Sequence, residues 1–368
     1  FWKRPERLPY PVTVTYGAPH PATVTAREMR LAISELGTEA MRHRHPPSAQ
    51  LHTSFIRSAR RHWGQLAAAD STGQTLSYGR LLTGALVLGD VIRRRTEGQL
   101  RVGLLLPSSV GGDVANLATL MAGRVPVNLN FTTGADVLQA SKAVADITTV
   151  ITSRRFLDKA GLPTTPDMLF LEDIRAEITG PQRLLGLLRA RLLPQRLLRR
   201  RVGDPRWSSS SPAAIIFSSG STGIPKGVVL THANLLSNVE SLTQIFHMHQ
   251  DDCFIGVLPF FHSFGLTGTL WFPLLQGCAV AYHPNPMDAK TVGELAHTYK
   301  GSMLISTPTF AQSYMRRCTR DQFAHLRYAI VGAEKLRAPL AHAFKEAFGV
   351  GLLEGYGCTE MAPVIAAN

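Results

Sequence analysis

FSSGSTGIPKG, Phe217 to Gly227, lies between two apolar runs, AAIIF (213–217) and VVL (228–230). An apolar strand that empties into a short loop of glycines and hydroxyls presents backbone N–H groups and side-chain donors to phosphate oxygens. Gly220, Gly223 and Gly227 allow a ligand to approach the backbone where a Cβ would block it. Ser218, Ser219, Ser221 and Thr222 supply hydroxyls, and Lys226 adds a mobile positive charge. The spacing is not that of a Walker A loop, because Pro225 rather than glycine precedes the lysine. A flexible Gly/Ser linker is the alternative, and the apolar runs pressed against both ends argue against it.

Outward from this loop, short apolar runs alternate with helix-length segments. VGLLL (102–106), TTVIT (148–152) and MLFL (168–171) precede it; FIGVL (254–258), AVAY (279–282), MLIS (303–306) and YAIVG (328–332) follow. Strands apolar on both faces and separated by helices predict an α/β architecture of layered parallel sheets. The unit begins near Ser48, with a first helix that places Leu51, Phe55, Ala59 and Trp63 on one face. Thr75–Tyr78 leads into a second helix ending near Arg95, and a third lies near residues 112–122. Residues 1–41 are too few to bury a core of their own. RLPYPVTVTYG (7–17) reads as an edge strand, and Thr25 with Glu28 forms a capping box opening a helix to about Ala40. Residues 42–47, RHRHPP, read as a linker between this segment and a domain spanning 48–368.

The four cysteines form no C-x-x-C pair, which fits free thiols in a reducing compartment rather than a disulfide scaffold or zinc site. No signal peptide and no spanning apolar run is visible, so the chain is expected to face the cytoplasm. The formal charge of +13 is concentrated. Residues 180–206 hold eight arginines against one aspartate, interleaved with leucine pairs. This insert reads either as a solvated basic helix or as an interfacial amphipathic helix, kinked at Pro194, meeting an anionic membrane surface. Without interleaved aromatics, it is not expected to bind nucleic acid.

Three motifs in order, FSSGSTGIPKG (217–227), LPFFHSFG (258–265) and EGYGCTE (354–360), resemble those of the AMP-forming adenylating enzymes, the superfamily of acyl-CoA synthetases and peptide-synthetase adenylation domains. LPFFHSFGLT, YAIVGAEKL and LLEGYGCTEMAPV look most like the acyl–acyl-carrier-protein synthetase half of bacterial bifunctional enzymes that re-acylate 2-acyl-glycerophosphoethanolamine. The opening segment resembles the tail of a lysophospholipid acyltransferase domain.

The resemblance implies the large N-terminal domain of an adenylating enzyme using ATP and Mg²⁺. A fatty acid would become acyl-AMP, then a thioester on acyl carrier protein, at the cytoplasmic face of a bacterial inner membrane. Ser218, Ser219, Gly220, Ser221, Thr222, Gly223 and Lys226 would hold the β/γ-phosphates. Thr359 would contact the α-phosphate, Glu360 would ligate Mg²⁺, and Tyr356 and Gly357 would sit against adenine. Gly332, Ala333 and Glu334 would line the adenine and acyl pocket, with His262, Phe264, Gly265 and Thr307 around the acyl chain. His262 could instead be an ordinary core histidine, and Cys358 is given no chemistry. The resemblance places a ribose-binding aspartate, a hinge and a lysine-bearing C-terminal domain past Asn368, and acyltransferase residues before Phe1. It therefore implies that residues 1–368 alone bind ATP weakly and do not turn over. A long-chain acyl-CoA ligase shares every motif; an inactive, membrane-tethered nucleotide-binding module is the alternative from another class, and intact Lys226, Thr359 and Glu360 speak against it.

Overall fold

The computed structural model describes residues 13–44, 48–218 and 225–368. Its strands are β1 (Leu66–Asp70), β2 (Thr75–Ser77), β3 (Arg101–Leu104), β4 (Val125–Asn128), β5 (Val150–Thr152), β6 (Met168–Phe170), β7 (Pro212–Ser218), β8 (Lys226–Thr231), β9 (Cys253–Gly256), β10 (Ala279–Tyr282), β11 (Met303–Ser306), β12 (Tyr328–Val331), β13 (Leu352–Gly357) and β14 (Val364–Ala367). Among the described residues they form an eight-stranded sheet, ordered β14-β13-β12-β11-β9-β10-β1-β2, and a six-stranded sheet, ordered β6-β5-β3-β4-β7-β8.

The inner strands pair in parallel, as their apolar composition predicts: every residue of β4, β9 and β11 is buried. The expectation of wholly parallel sheets fails at three edges, where β1–β2, β7–β8 and β13–β14 pair antiparallel. β8 carries the apolar run VVL, yet it is an edge strand with Val229 50% exposed. The phosphate-type loop thus joins an antiparallel pair, with Ser218 opposite Lys226 in register.

Helices that cover the sheets start where hydroxyls cap them. The side chains of Ser77, Ser109, Thr231 and Thr307 accept from the backbone N–H groups of Arg80, Gly112, Asn234 and Phe310. Each cap contributes about 1 kcal/mol. Tyr282 of β10 ties one such helix, Val110–Met121, to the larger sheet. Its hydroxyl lies 2.8 Å from Asp113 Oδ1 and 2.7 Å from the Thr269 carbonyl. Burial raises the Asp113 carboxyl well above the usual range. The hydroxyl donates to the carboxylate, which opposes that rise.

Several boundaries shift. The Thr25–Glu28 capping box is present, with Thr25 N–H donating to Glu28 Oε2 at 2.8 Å, but its helix runs Ala26–Arg44. The linker reading of 42–47 therefore fails over 42–44, and 45–47 lie outside the described residues. The strand read at 7–17 is absent over 13–17; its remainder also lies outside them. Leu51, Phe55 and Ala59 are fully buried on the helix Leu51–Arg61, whereas Trp63 sits just beyond its end. The basic insert is two helices, Gly180–Arg191 and Gln195–Arg201, separated at Pro194. Asp252 is buried and held by Arg327 Nη1 at 2.8 Å.

Candidate active site

The LPFFHSFG stretch leaves β9 and enters a helical segment whose middle, Leu266–Trp271, has π-helical bonding and is wholly buried. Such a bulge widens the helix locally and is common beside functional sites. Two glycines in it do different work. Gly268 faces a cavity, where a Cβ would stand 2.9 Å from Ile305 Cδ1. Gly265 is buried beneath Pro259, whose carbonyl oxygen would lie 2.2 Å from a Cβ. Gly265 does not line the cavity, so its assignment to the acyl pocket is corrected. It is required by the close approach of the chain to itself.

The cavity, about 470 Å³, opens between this segment and the ends of β11, β12 and β13. Of the residues singled out from sequence, His262, Phe264, Thr307, Gly332, Ala333, Tyr356, Gly357 and Thr359 all line it. Parallel strands deliver ligand-contacting residues at their carboxyl ends, and here β11 and β12 run directly into Thr307 and Gly332. Ala333 holds the left-handed conformation at φ 66°, unusual for a residue with a Cβ and the kind of backbone strain kept at ligand-facing turns. Tyr356 is 69% exposed, available to stack on a flat partner. Gly357 is obligatory, because a Cβ would stand 2.1 Å from the Pro363 carbonyl oxygen.

Thr359 and Glu360 occupy a short 3₁₀ turn after β13. The Ser263 hydroxyl donates to Thr359 Oγ1 across 3.4 Å and so joins the second motif to the third. β8, which begins with the exposed Lys226, packs beside the same turn. The structure therefore brings parts of all three motifs to one edge of the cavity. Ser219, Gly220, Ser221, Thr222 and Gly223 lie outside the described residues, and Ser218 is half-buried at the end of β7. Glu334 lies outside the lining; it accepts from the Thr309 backbone N–H at 3.3 Å and hydroxyl at 2.6 Å, securing the β12 turn to the helix Pro308–Arg317.

Sequence reasoning missed much of the wall, including Phe131, Leu242, Phe246, Gly268, Phe272 and Phe310. These come from separate elements and form no contiguous motif; only Gly268, a glycine inside a buried helical run, carried a local signal. Cys358 also lines the cavity and is exposed. Among the described residues the lining contains no Asp, Glu, Lys or Arg. His262 is open to solvent at its edge yet set against the Phe261 ring at 4.9 Å, and desolvation lowers its pKa, leaving a neutral imidazole at pH 7. No group of three or more His, Cys, Asp or Glu among the described residues could cage a metal. A Mg²⁺ bound chiefly through phosphate and water oxygens needs only one or two protein carboxylates, and exposed Glu360 beside Thr359 fits that need.

A family profile described as AMP-binding enzyme matches residues 55–368. A probable 4-coumarate–CoA ligase 3 from Dictyostelium discoideum is 37% identical over 157 residues, 41% of this chain and 28% of that protein. The 4-hydroxybenzoate–CoA/benzoate–CoA ligase of Rhodopseudomonas palustris is 26% identical over 310 residues, 83% of this chain and 56% of that protein. The ATP-bound crystal structure of MatB from Rhodopseudomonas palustris superposes with a TM-score of 0.71 at 24% identity, over 87% of this chain and 61% of that one, a likeness of fold. The chain spans little more than half the length of the relatives it matches most fully.

Proposed function

The chain belongs to the AMP-binding enzyme family, and on that premise we propose that it forms the acid- and nucleotide-binding part of a ligase that activates an apolar carboxylic acid as acyl-AMP and passes it to a thiol. Enzymes of the family use ATP with Mg²⁺. The observation that carries the reading is the uncharged cavity ending at the Tyr356–Thr359 turn. An amino acid or dicarboxylic acid brings a second charge that a buried site must pair, and this wall offers no such partner. A single carboxylate with an apolar body satisfies it.

In the first step a carboxylate oxygen attacks the α-phosphorus of ATP, and the bond from that phosphorus to pyrophosphate breaks. Two anions must be brought together, so the protein's part is placement and charge compensation. The apolar wall fixes the acid's body, Thr359 donates toward the α-phosphate, and Lys226 offers its ammonium to the departing phosphates. Tyr356 and the Gly332–Ala333 turn hold the base. Glu360 would help hold Mg²⁺, which would supply neutralisation of phosphate charge. In the second step a thiolate attacks the acyl carbon, forming the thioester and releasing AMP; the thiol's proton goes to solvent.

The acid is a fatty acid and the acceptor is acyl carrier protein in the form of the proposal supported by the LPFFHSFG and EGYGCTEMAPV resemblance. Re-acylation of a lysophospholipid at the cytoplasmic face of the inner membrane would consume the product. The names of the relatives favour a second form, an aromatic acid and CoA. ATP-dependent thioester formation by the natural polypeptide carrying this chain, with fatty and hydroxybenzoic acids each offered CoA and holo-carrier protein, tests both. Fatty acyl-carrier protein as the dominant product supports the first form; aryl-CoA overturns it in favour of the second. No acid-dependent AMP release with any pair overturns both.

A further inference from the structure

Away from the cavity, the insert helices Gly180–Arg191 and Gln195–Arg201 border a second, chemically different pocket. The first helix packs on the helix Tyr78–Arg95 through its smallest residues. Gly186 and Ala190 are buried, and a Cβ on Gly186 would stand 2.3 Å from Val87 Cγ2. That close packing turns this helix's leucines outward: Leu184, Leu185, Leu187, Leu188 and, at its C-terminus, Leu192 are 43% to 70% exposed; on the second helix Leu197 is exposed and Leu198 buried. A water-facing helix buries its leucines and exposes its small residues; this one does the reverse.

Beside the leucines, Arg93, Arg124, Arg189, Arg200 and Arg201 line a pocket of about 620 Å³, with Leu185 at its border. Asp204 lines the same pocket and pairs with Arg206, and Asp90 pairs with Arg189. Arg93 donates to the carbonyls of Met121 at 2.7 Å and Arg201 at 3.2 Å. Arg124 donates to Thr96 and Gly123. These oxygens orient the guanidinium groups without cancelling their charge. Burial, and then repulsion from Arg93, lowers the Arg124 pKa despite the pull of Asp204 and Glu97. Neither Arg200 nor Arg201 has a carboxylate partner among the described residues. A lining of five arginines against one aspartate keeps a net positive charge, and next to exposed leucines it is complementary to one partner: a surface with phosphate outside and hydrocarbon beneath.

The geometry points to an anionic phospholipid surface as the partner of this face, with a headgroup phosphate received between Arg93, Arg124, Arg200 and Arg201 and the acyl boundary meeting Leu184, Leu188 and Leu192. An acidic peptide or free phosphate would answer the arginines but leave the leucines uncovered. No described helix is long and apolar enough to cross a membrane. This inference is independent of the identity of the activated acid.

Co-sedimentation of the chain with phosphatidylcholine vesicles, with and without phosphatidylglycerol, tests it. Binding should require phosphatidylglycerol and weaken as salt rises. R200Q/R201Q should lower the apparent affinity on the order of tenfold. L184Q/L188Q should lower it comparably, with circular dichroism and thermal midpoint showing that both variants fold. Inorganic phosphate at the same phosphate concentration should displace little protein. Equal binding to neutral vesicles, insensitivity to either pair of substitutions, or full displacement by inorganic phosphate would overturn the proposal. So would self-association through the leucine face without vesicle binding.

Discussion

Asn238 grips Val364 from both sides: its Nδ2 donates to the Val364 carbonyl at 2.8 Å, and its Oδ1 accepts the Val364 N–H at 3.4 Å. A further bond from Nδ2 reaches the Met361 carbonyl at 3.3 Å. One buried amide on the helix His232–Ile245 thereby fixes the exit of the turn that carries Thr359 and Glu360. Asn238→Ala should cost about 1–3 kcal/mol of stability, because partly buried backbone groups lose their partner. It should also weaken binding of an acyl-adenylate analogue. Urea titration and calorimetry check the pair of effects; a loss of stability with unchanged ligand affinity would separate Asn238 from the site.

Lys226 stands at the start of β8, exposed and next to the same turn. If it grips the departing phosphates, Lys226→Ala should weaken MgATP binding by about tenfold or more, the worth of a charge-assisted hydrogen bond. Binding of an acyl-sulfamoyladenosine, which lacks those phosphates, should be nearly unchanged. Equal losses for both ligands would assign Lys226 a structural role.

His52 and His232 form a buried aromatic cluster with Trp207, the two imidazole rings 5.7 Å apart. Burial lowers the His232 pKa to about 4 and drives that of His52 well down, with further lowering from His232 and Arg199. Both are neutral in the fold, while an unfolded histidine titrates near pH 6.5. The His232 contribution is fully present above that pH and is lost as pH falls toward about 4, by up to about 1.4 kcal/mol per pH unit; that of His52 has the same sign. His232 Nδ1 accepts the Leu51 N–H at 3.3 Å, a role an asparagine can mimic. His232→Asn should flatten the fall in unfolding free energy between pH 6.5 and 4. An unaltered slope would refute the assignment.

Gly268 opens the cavity between Ile305 and Phe264. Gly268→Leu should therefore shorten the acid that fits, each excluded methylene costing about 0.8 kcal/mol. In titrations of acyl-sulfamoyladenosines of increasing length, the loss should grow with chain length and vanish for acetyl. A loss independent of length would place the acyl body elsewhere.

The parts of this molecule legible in its sequence are those where local chemistry and tertiary role agree. AVAY and MLIS match β10 and β11 residue for residue, because a strand covered on both faces must be apolar throughout. β13 was visible only as the motif EGYGCTE, since glycine, glutamate and an exposed tyrosine do not resemble a strand; pairing with β12 and β14 makes it one. The antiparallel pairing of β8 was hidden because an edge strand here keeps apolar residues. Two readings of the insert stood open in the sequence because leucines are normally the packing face, and here Gly186 and Ala190 are. At the site, residues contiguous in motifs were found, while the aromatic wall, assembled from Phe131 to Phe310, was not.

Cys358 allows the central claim to be tested at its own position. It lines the cavity and is exposed, whereas Cys253 and Cys278 are buried with thiols pushed up to about 12, and half-buried Cys318 is pushed up to about 11. Iodoacetamide should therefore label Cys358 first. The measurement is the rate of that labelling, read by peptide mass spectrometry, with and without a long-chain acyl-sulfamoyladenosine. Saturable protection of Cys358, with the other thiols unaffected, is the result expected of an acyl-adenylate site in this cavity. Labelling at the same rate with the analogue present would contradict it.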